Sequence, residues 1–514
     1  MQSVAQGAVR NRAYRVYSRD EVRDLIAHGH KVVIVDQYVL KIDAWIQYHP
    51  GGDLAILHMV GRDATDEVNA ARCQMERYRI GRVEGRWKNF VPPIQGGVFD
   101  NAAEQQDLDD SNSSPASPED TTSSNPSSRA PSPTFDRANP SIRNRHTASI
   151  SMSYSPSPDI IQEAMRDMDG MAYLDAQTRK QISLDLEKYP SPDVDTQSHI
   201  VEKYRLLHDR LRNEGMYNCN YWAYAVEVSR YSTLLFLSWL CLRGGYYALS
   251  GAFLGLFWHQ GSFCAHDAGH MGITHNFHID TIIGIIIADF CGGLSLGWWK
   301  WSHNVHHIVT NSPEHDPDNQ HLPFFAVSHR FFESVYSTYH SRVMKYDLPA
   351  QYLTRIQAYL YYPVMAVARL NLYLQSWLYL LRGTGPTKGP GWWHRWLEVL
   401  CMAGFWTWFG YFLVYKTIPS NWDRFIFFTI SHAITLPLHV QITVSHFAMS
   451  TMDLGPEESF AQKMLRTTMD VDCPPWLDFF HGGSSFKLYT TFIREFLGTI
   501  SAPLKRWFRN SAMM

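Results

Sequence analysis

The 514-residue chain has few cysteines, and none of the seven stand in a C-x-x-C pair. A disulfide framework is therefore not predicted, and we expect reduced, mostly buried thiols. The net charge of −3 gives no electrostatic basis for a nucleic-acid partner. Residues 1–15 lack the apolar run of a secretory signal peptide, which favours a cytosolic location for the domain that follows.

Composition changes along the chain predict an ordered domain, a linker and a membrane domain. Residues 14–92 are mixed globular sequence with strand-like runs and Gly turns. Residues 97–158 are rich in Ser and Pro and cannot bury enough apolar area to order, so they are predicted to be a disordered linker. Residues 160–221 are predicted to form amphipathic helices that lead into the membrane domain, residues 222–483.

Apolar stretches within the membrane domain predict about four transmembrane helices, grouped as two hairpins. The predicted spans are residues 222–242, 244–263, 397–415 and 425–444. Two further apolar segments, 279–296 and 363–381, are not counted, and Arg369 in the second favours a position at the membrane interface. Four spans and a cytosolic N-terminus place residues 264–395, which carry several Lys and Arg, on the cytosolic side.

Two histidine clusters stand beside these apolar stretches. His266 and His270 are spaced i, i+4, and His303, His306 and His307 are spaced i, i+3, i+4, so each cluster lies on one face of a helix. A lone histidine near a membrane is usually a polar anchor, and we interpret seven histidines in this way: His259, His275, His278, His315, His321, His432 and His439. Five clustered imidazoles instead predict a metal site, and the number of histidines favours two irons over one tetrahedral zinc.

A third motif, His49-Pro50-Gly51-Gly52, lies in the first domain. A rigid turn can present the histidine while the glycines allow the backbone to approach a flat macrocycle. His58 lies nearby and is expected to pack structurally.

Together with the run from Tyr17 to Arg82, the His49 motif resembles a cytochrome b5 domain. Followed by His266-Asp267-Ala268-Gly269-His270 and His303-Asn304-Val305-His306-His307, it resembles the front-end lipid desaturases with a fused cytochrome b5 domain. The segments 439–451 and 465–473 are most similar to fungal Δ8-sphingolipid desaturases. The resemblance implies an α+β cytochrome b5-like domain followed by an all-α, multi-span membrane desaturase domain.

The resemblance also implies the cofactors and the activity. Haem b would have His49 as an axial ligand, and two non-haem irons would be held by the five clustered histidines together with His446: His266, His270, His303, His306, His307 and His446. The expected reaction is O2-dependent introduction of a Δ8 double bond into the sphingoid base of a ceramide-type lipid. Cytochrome b5 reductase would supply the electrons, at the endoplasmic reticulum membrane with the haem domain and the histidines on the cytosolic side. A Δ5/Δ6-type front-end fatty-acyl desaturase or a lipid hydroxylase is the alternative.

Two departures from the family pattern leave a third alternative open. Arg72 stands where the family has its second haem histidine, so the second haem ligand is unknown, and arginine stays protonated and cannot ligate iron. After Gly483 the chain has no Gln-x-x-His-His motif, and residues 484–514 form a divergent C-terminal tail. A catalytically impaired pseudoenzyme, or a mis-spliced gene model acting only as a binding protein, would explain both departures.

Overall fold

A computed structural model of the chain describes residues 14–49, 51–67, 75–90 and 170–469, together with 477, 479 and 480. The chain divides into two compact units, Met1–Ile46 with Ile56–Ser132, and Gln47–Ala55 with Pro133–Met514. The predicted linker at 97–158, the position of Arg72 where the family has its second haem histidine, and the divergent tail at 484–514 lie outside the described residues.

One helix and a three-stranded antiparallel sheet organise the first unit. Helix α1 (Arg19–Ala27) begins after Ser18, whose hydroxyl accepts from the Glu21 N–H while the Glu21 carboxylate accepts from the Ser18 N–H. This capping box satisfies two N–H groups that would otherwise lack partners. The sheet, in spatial order, consists of β1 (Val32–Val35), β2 (Tyr38–Lys41) and β3 (Arg79–Arg82).

The core of the first unit lies between this helix and the sheet. Its buried side chains are Val22, Ile26, Val32, Ile34, Val39, Val60, Val83, Trp87 and Phe90. The Trp87 indole N–H donates to the Gly61 carbonyl at 2.9 Å, which ties the segment after β3 to the core. This is the α+β arrangement predicted for the first domain. A short helix, α2 (Leu54–Leu57), follows the turn that carries His49.

The described part of the second unit is almost entirely helical. Its helices are α3 (Gly170–Lys188), α4 (Val194–Asn213), α5 (Tyr221–Arg243), α6 (Tyr247–Gly269), α7 (Phe277–Ile285), α8 (Leu296–Val309), α9 (Leu348–Arg355), α10 (Gln357–Arg382), α11 (His394–Phe405), α12 (Asn421–Ala433), α13 (Leu436–Phe447) and α14 (Phe460–Thr467). Helix α7 continues as a π-helical segment, Ile286–Cys291, and α11 as another, Trp406–Thr417. One small hairpin pairs β4 (Val335–Ser337) with β5 (Arg342–Met344).

Two glycines one turn apart let α6 approach α12 closely. A Cβ atom on Gly251 would lie 2.7 Å from the Phe427 carbonyl oxygen, and one on Gly255 would lie 2.5 Å from the Ser431 carbonyl oxygen. Such a Gly-x-x-x-Gly pair is the usual way in which membrane helices bring their backbones together. The contact fixes α6, which carries His266 near its C-terminus, against α12.

Helices α7 and α8 form a sharply bent pair, with an angle of 113° between them. Helix α8 therefore begins inside the protein, where its first N–H groups need partners other than water. The Leu296 N–H donates to the Asp289 carboxylate at 3.1 Å, and the Gly297 N–H donates to the Glu398 carboxylate at 3.0 Å.

Fewer membrane spans are identified than the four predicted. By length and composition, two described helical segments could cross a membrane, His394–Thr417 and Asn421–Val444. The bent pair α7–α8 would bring the number to three if it counts as one span. Helices α5 and α6 form at the predicted first hairpin but do not meet this criterion. The four-span topology is thus not confirmed.

Arg369 was expected to favour an interfacial position because its charge stands in an apolar segment, but the structure buries this charge inside the protein. This side chain is 3% exposed in α10, and its guanidinium lies over the Trp258 ring at 4.4 Å. It donates to the Tyr373 hydroxyl at 2.9 Å and to the Gly292 carbonyl at 2.5 Å. The arginine faces the protein interior, where ring electrons and oxygen atoms replace water around its charge.

Replacing Glu398 should show how much the start of α8 depends on its acceptor. Glu398→Leu leaves the Gly297 N–H buried without a partner, which should cost about 1–3 kcal/mol. Glu398→Gln keeps an acceptor oxygen and should lose much less. Thermal unfolding of both variants in one detergent measures the difference, and equal losses would contradict this account of the helix start.

Candidate metal centre

The first histidine cluster sits at the C-terminal end of α6. The rings of His266 and His270 lie 4.6 Å apart between centroids, as their i, i+4 spacing requires. Asp267, between them, accepts a hydrogen bond from the Tyr224 hydroxyl at 2.7 Å. Because Tyr224 belongs to α5, this bond fixes the end of α6 against the preceding helix.

The glycine of this cluster makes room for a tryptophan from α8. A Cβ atom on Gly269 would lie 2.2 Å from the Trp299 ring. The Trp299 ring stacks on His303 with centroids 4.4 Å apart and also contacts His266 and His270 at 5.2 and 5.5 Å. Trp299 is thus an apolar wall shared by both histidine clusters.

The second cluster lies on α8 and meets the first. His303 is 5.2 Å from His266 and 5.1 Å from His270 between ring centroids, and His307 is 5.0 Å from His270. The Nε2 atoms of His303 and His307 are only 3.0 Å apart, so two ring nitrogens point toward one place. The sixth predicted histidine, His446 on α13, lies 4.6 Å from His306. The structure therefore brings all six together.

A buried carboxylate orients His306. The Nδ1–H of His306 donates to Asp316 at 2.9 Å, and Asp316 is 0% exposed. Burial opposes ionisation of Asp316, but the adjacent His306 and backbone N–H donors outweigh it, so the pKa of Asp316 is lowered. Burial raises the pKa of neighbouring Asp318 to about 6. Asp316 is thus the ionised acceptor of the Nδ1–H. Burial lowers the pKa of His306, but the charge of Asp316 outweighs burial and raises it to about 9, so a metal at Nε2 must displace a proton.

A backbone carbonyl orients His446 in the same way. The Nδ1–H of His446 donates to the Thr467 carbonyl at the end of α14, at 3.1 Å. Burial and the proximity of His306 lower the pKa of His446 to about 4. The ring is therefore neutral near pH 7, which is the form that binds a metal.

The donor set fits a metal centre built on imidazoles. The potential ligand atoms of His266, His270 and His303 all lie within 4.8 Å of one another. His306 with Asp316 and Asp318 forms a second group that meets the same distance condition. Because Asp316 already accepts from His306, we interpret this second group as a ligand with its supporting carboxylate rather than as a separate site.

The same kind of hydrogen bond fixes the orientation of the His49 imidazole. Its Nδ1–H donates to the Gly52 carbonyl at 2.6 Å, within the Pro-Gly-Gly turn, so Nε2 is the nitrogen that could bind a haem iron. His58 is 0% exposed. The described residues fit one axial position of a haem, and the segment that holds Arg72 is outside them.

Sequence patterns missed several residues that support the histidines. Asp316 lies ten positions after His306, and Thr467 acts through its backbone, so neither belongs to a histidine motif. Three of the histidines interpreted as interface anchors are buried instead: His259, His315 and His432 are 0%, 3% and 2% exposed. His432, for example, stacks on Phe428 with centroids 4.1 Å apart.

Comparison with known families gives two matches, one for each predicted domain. Residues 18–84 match the family model for the cytochrome b5-like haem/steroid binding domain. Residues 244–488 match the family model for fatty acid desaturases. No solved structure matches the chain.

Similar proteins include named fungal and plant enzymes. The chain is 53% identical to the Delta 8-(E)-sphingolipid desaturase of Emericella nidulans, over 91% of this chain and 84% of that one. It is 43% identical to the enzyme of the same name from Candida albicans, over 93% of this chain and 87% of that one. The Delta(8)-fatty-acid desaturase of Helianthus annuus is 38% identical over 57% of this chain and 63% of its own length.

Asp316→Asn should weaken metal binding, because an amide cannot replace the charge that supports His306. Loss of such a supporting group typically lowers metal affinity by roughly 10- to 100-fold. Iron per chain, measured after dialysis against graded chelator, reports the change. Asp318→Asn is the control, since its carboxylate lies 3.6 Å from the same nitrogen and its side chain is 38% exposed. Indistinguishable chelator curves for the two variants would contradict the assignment.

Proposed function

This chain belongs to the cytochrome b5-fusion desaturase family, and we propose that it introduces a Δ8 double bond into the sphingoid base of ceramide-type lipids. The observation that carries the proposal is the six-histidine cluster in a chain that also has a cytochrome b5-like domain. The substrate class is supported by fungal relatives that bear the name Delta 8-(E)-sphingolipid desaturase and align over more than nine-tenths of this chain.

We propose that two non-haem irons are held by His266, His270, His303, His306, His307 and His446. Iron bound there would supply the activation of O2 needed to remove two hydrogens from adjacent methylenes. The protein orients the ligands through acceptors on Nδ1, as at His306 and His446. The Trp299 ring stacks on His303 and covers one side of the cluster. The lipid chain must be held so that one pair of methylenes faces the histidines.

For electron delivery, we propose that His49 is one axial ligand of haem b and that cytochrome b5 reductase is the electron source. The second axial ligand stays unassigned. O2 and the membrane lipid are the other reactants.

We also propose the endoplasmic reticulum membrane as the location, with four spans in two hairpins and the haem domain and histidines on the cytosolic side. Residues 14–92, 97–158, 160–221, 222–483 and 484–514 remain the proposed segments of the chain. For the first hairpin, the support is the apolar surface of α5, where Val228, Phe236 and Trp239 are each more than half exposed. Such a surface is stable in lipid and costly in water. Glu227 and Arg230 pair with each other on the same helix, which reduces the cost of their charges.

Expression of the chain in a fungal host whose own Δ8-desaturase gene is deleted tests the activity. We expect Δ8-unsaturated sphingoid bases to reappear, and His266→Ala to abolish them. His199→Ala, at an exposed histidine of α4, is the matched control and should retain activity. Unchanged sphingoid bases together with altered fatty acids would support the Δ5/Δ6-type fatty-acyl desaturase. Hydroxylated sphingoid bases would support the lipid hydroxylase. No new lipid at normal protein levels would support a catalytically impaired chain.

An optical spectrum of the full-length protein tests the haem proposal separately. One histidine ligand should give a spectrum that differs from the sharp, reducible spectrum of a bis-histidine haem. Arg72→His should move the spectrum toward the bis-histidine form, and His49→Ala should remove haem. If the unmodified protein already shows a bis-histidine spectrum, a second ligand is present elsewhere and Arg72 has no bearing on electron delivery.

A further inference from the structure

His446 is fixed at two points by groups from other parts of the chain. Its ring is held by the Thr467 carbonyl, and its own backbone carbonyl accepts from the Asn311 side-chain amide at 3.0 Å. The same amide also donates to the carbonyls of Met449 and Ser450, at 3.1 and 2.9 Å. Asn311 thus closes the C-terminal end of α13, and the Thr467 carbonyl sets the direction of the imidazole.

The position of the Thr467 carbonyl depends on the adjacent arginine. Arg466 is 0% exposed and makes a bidentate ion pair with Glu458, with N–O distances of 2.8 and 2.9 Å. Its third contact is a hydrogen bond to the Ser450 hydroxyl at 2.6 Å. Ser450 in turn donates to Asp185 on α3. The guanidinium therefore joins the end of α14 to the segment that follows α13.

Helix α4 and the connection that precedes it hold the other end of α14. The Ser459 N–H, at the start of α14, donates to the Gln197 side chain at 2.8 Å. The Gln462 amide donates to the Pro190 carbonyl at 2.8 Å, and the Gln197 amide donates to Gln462 at 2.5 Å. Both ends of this eight-residue helix are therefore tied to other segments by buried polar contacts.

We propose that Arg466 is a positioning residue of the metal centre, which holds the Thr467 carbonyl against Nδ1 of His446 and so directs Nε2 toward the metal. This inference rests on the proposed function, in which His446 is a ligand. Stability alone accounts poorly for the ion pair, because a buried pair often contributes little net stability compared with apolar residues of similar size. A fixed orientation of His446 is what the bidentate geometry adds.

The test compares Arg466→Lys with Arg330→Lys in the full-length protein. Lysine keeps the charge but cannot make the bidentate pair. Arg330 is the matched control, because it is also buried and paired with a glutamate, Glu314, but its other contact is to the Thr451 carbonyl rather than to α14. A double variant, Arg466→Met with Glu458→Leu, removes both charges and provides a second variant should Arg466→Lys fold poorly.

We expect both Arg466 variants to bind iron roughly 10- to 100-fold more weakly than the parent, with Arg330→Lys unchanged. The ⁵⁷Fe Mössbauer spectrum of the iron that remains should show an altered site, as it should in His446→Ala, and kcat should fall with KM unchanged. Equal effects of Arg466→Lys and Arg330→Lys would overturn the inference, as would normal iron binding and spectra in the Arg466 variants. Absence of iron from the parent would overturn the proposed function itself, and this inference with it.

Discussion

Helix α8 begins and ends inside the protein, and the histidine cluster depends on how both ends are held. At its start, Asp289 and Glu398 accept from backbone N–H groups that have no helical partner. Just past its end, the Asn311 N–H donates to Asp316 at 2.6 Å. A short helix held in this way cannot slide or rotate without leaving a buried group unpaired. The three histidines on α8 therefore have fixed positions before any metal binds.

The same kind of hydrogen bond orients His49, His306 and His446. In each ring the Nδ1–H donates to an oxygen atom, which leaves Nε2 as the nitrogen that can bind a metal once it carries no proton. The three acceptors differ in kind: a carbonyl within the same turn, a carboxylate ten residues away, and a carbonyl from a different helix. The local acceptor needs only the Pro-Gly-Gly turn. The other two acceptors reach their rings only through the tertiary structure.

This difference decides what could be predicted from the sequence. The i, i+3 and i, i+4 spacings predicted which imidazoles share a helix face, and the structure brings those five together with His446, whose place was given only by family resemblance. The carboxylate of Asp316, the amide of Asn311 and the carbonyl of Thr467 have no local signature, because their roles arise from loop conformation and long-range packing. The hydropathy of the segment around Arg369 suggested a position at the membrane interface. A sequence window cannot show that Trp258, Tyr373 and Gly292 surround this charge inside the protein.

The same long-range dependence gives a role to the helices that precede the membrane domain. The composition of α3 and α4 predicts charged amphipathic helices but gives no indication of their function. In the folded chain, Gln197 is completely buried and bonds to α14, the helix that ends at the carbonyl facing His446. A buried glutamine with both ends of its amide satisfied is costly to displace, because each freed group would lose its partner without gaining water. In the proposed metal centre, these helices would thus support the helix that orients His446.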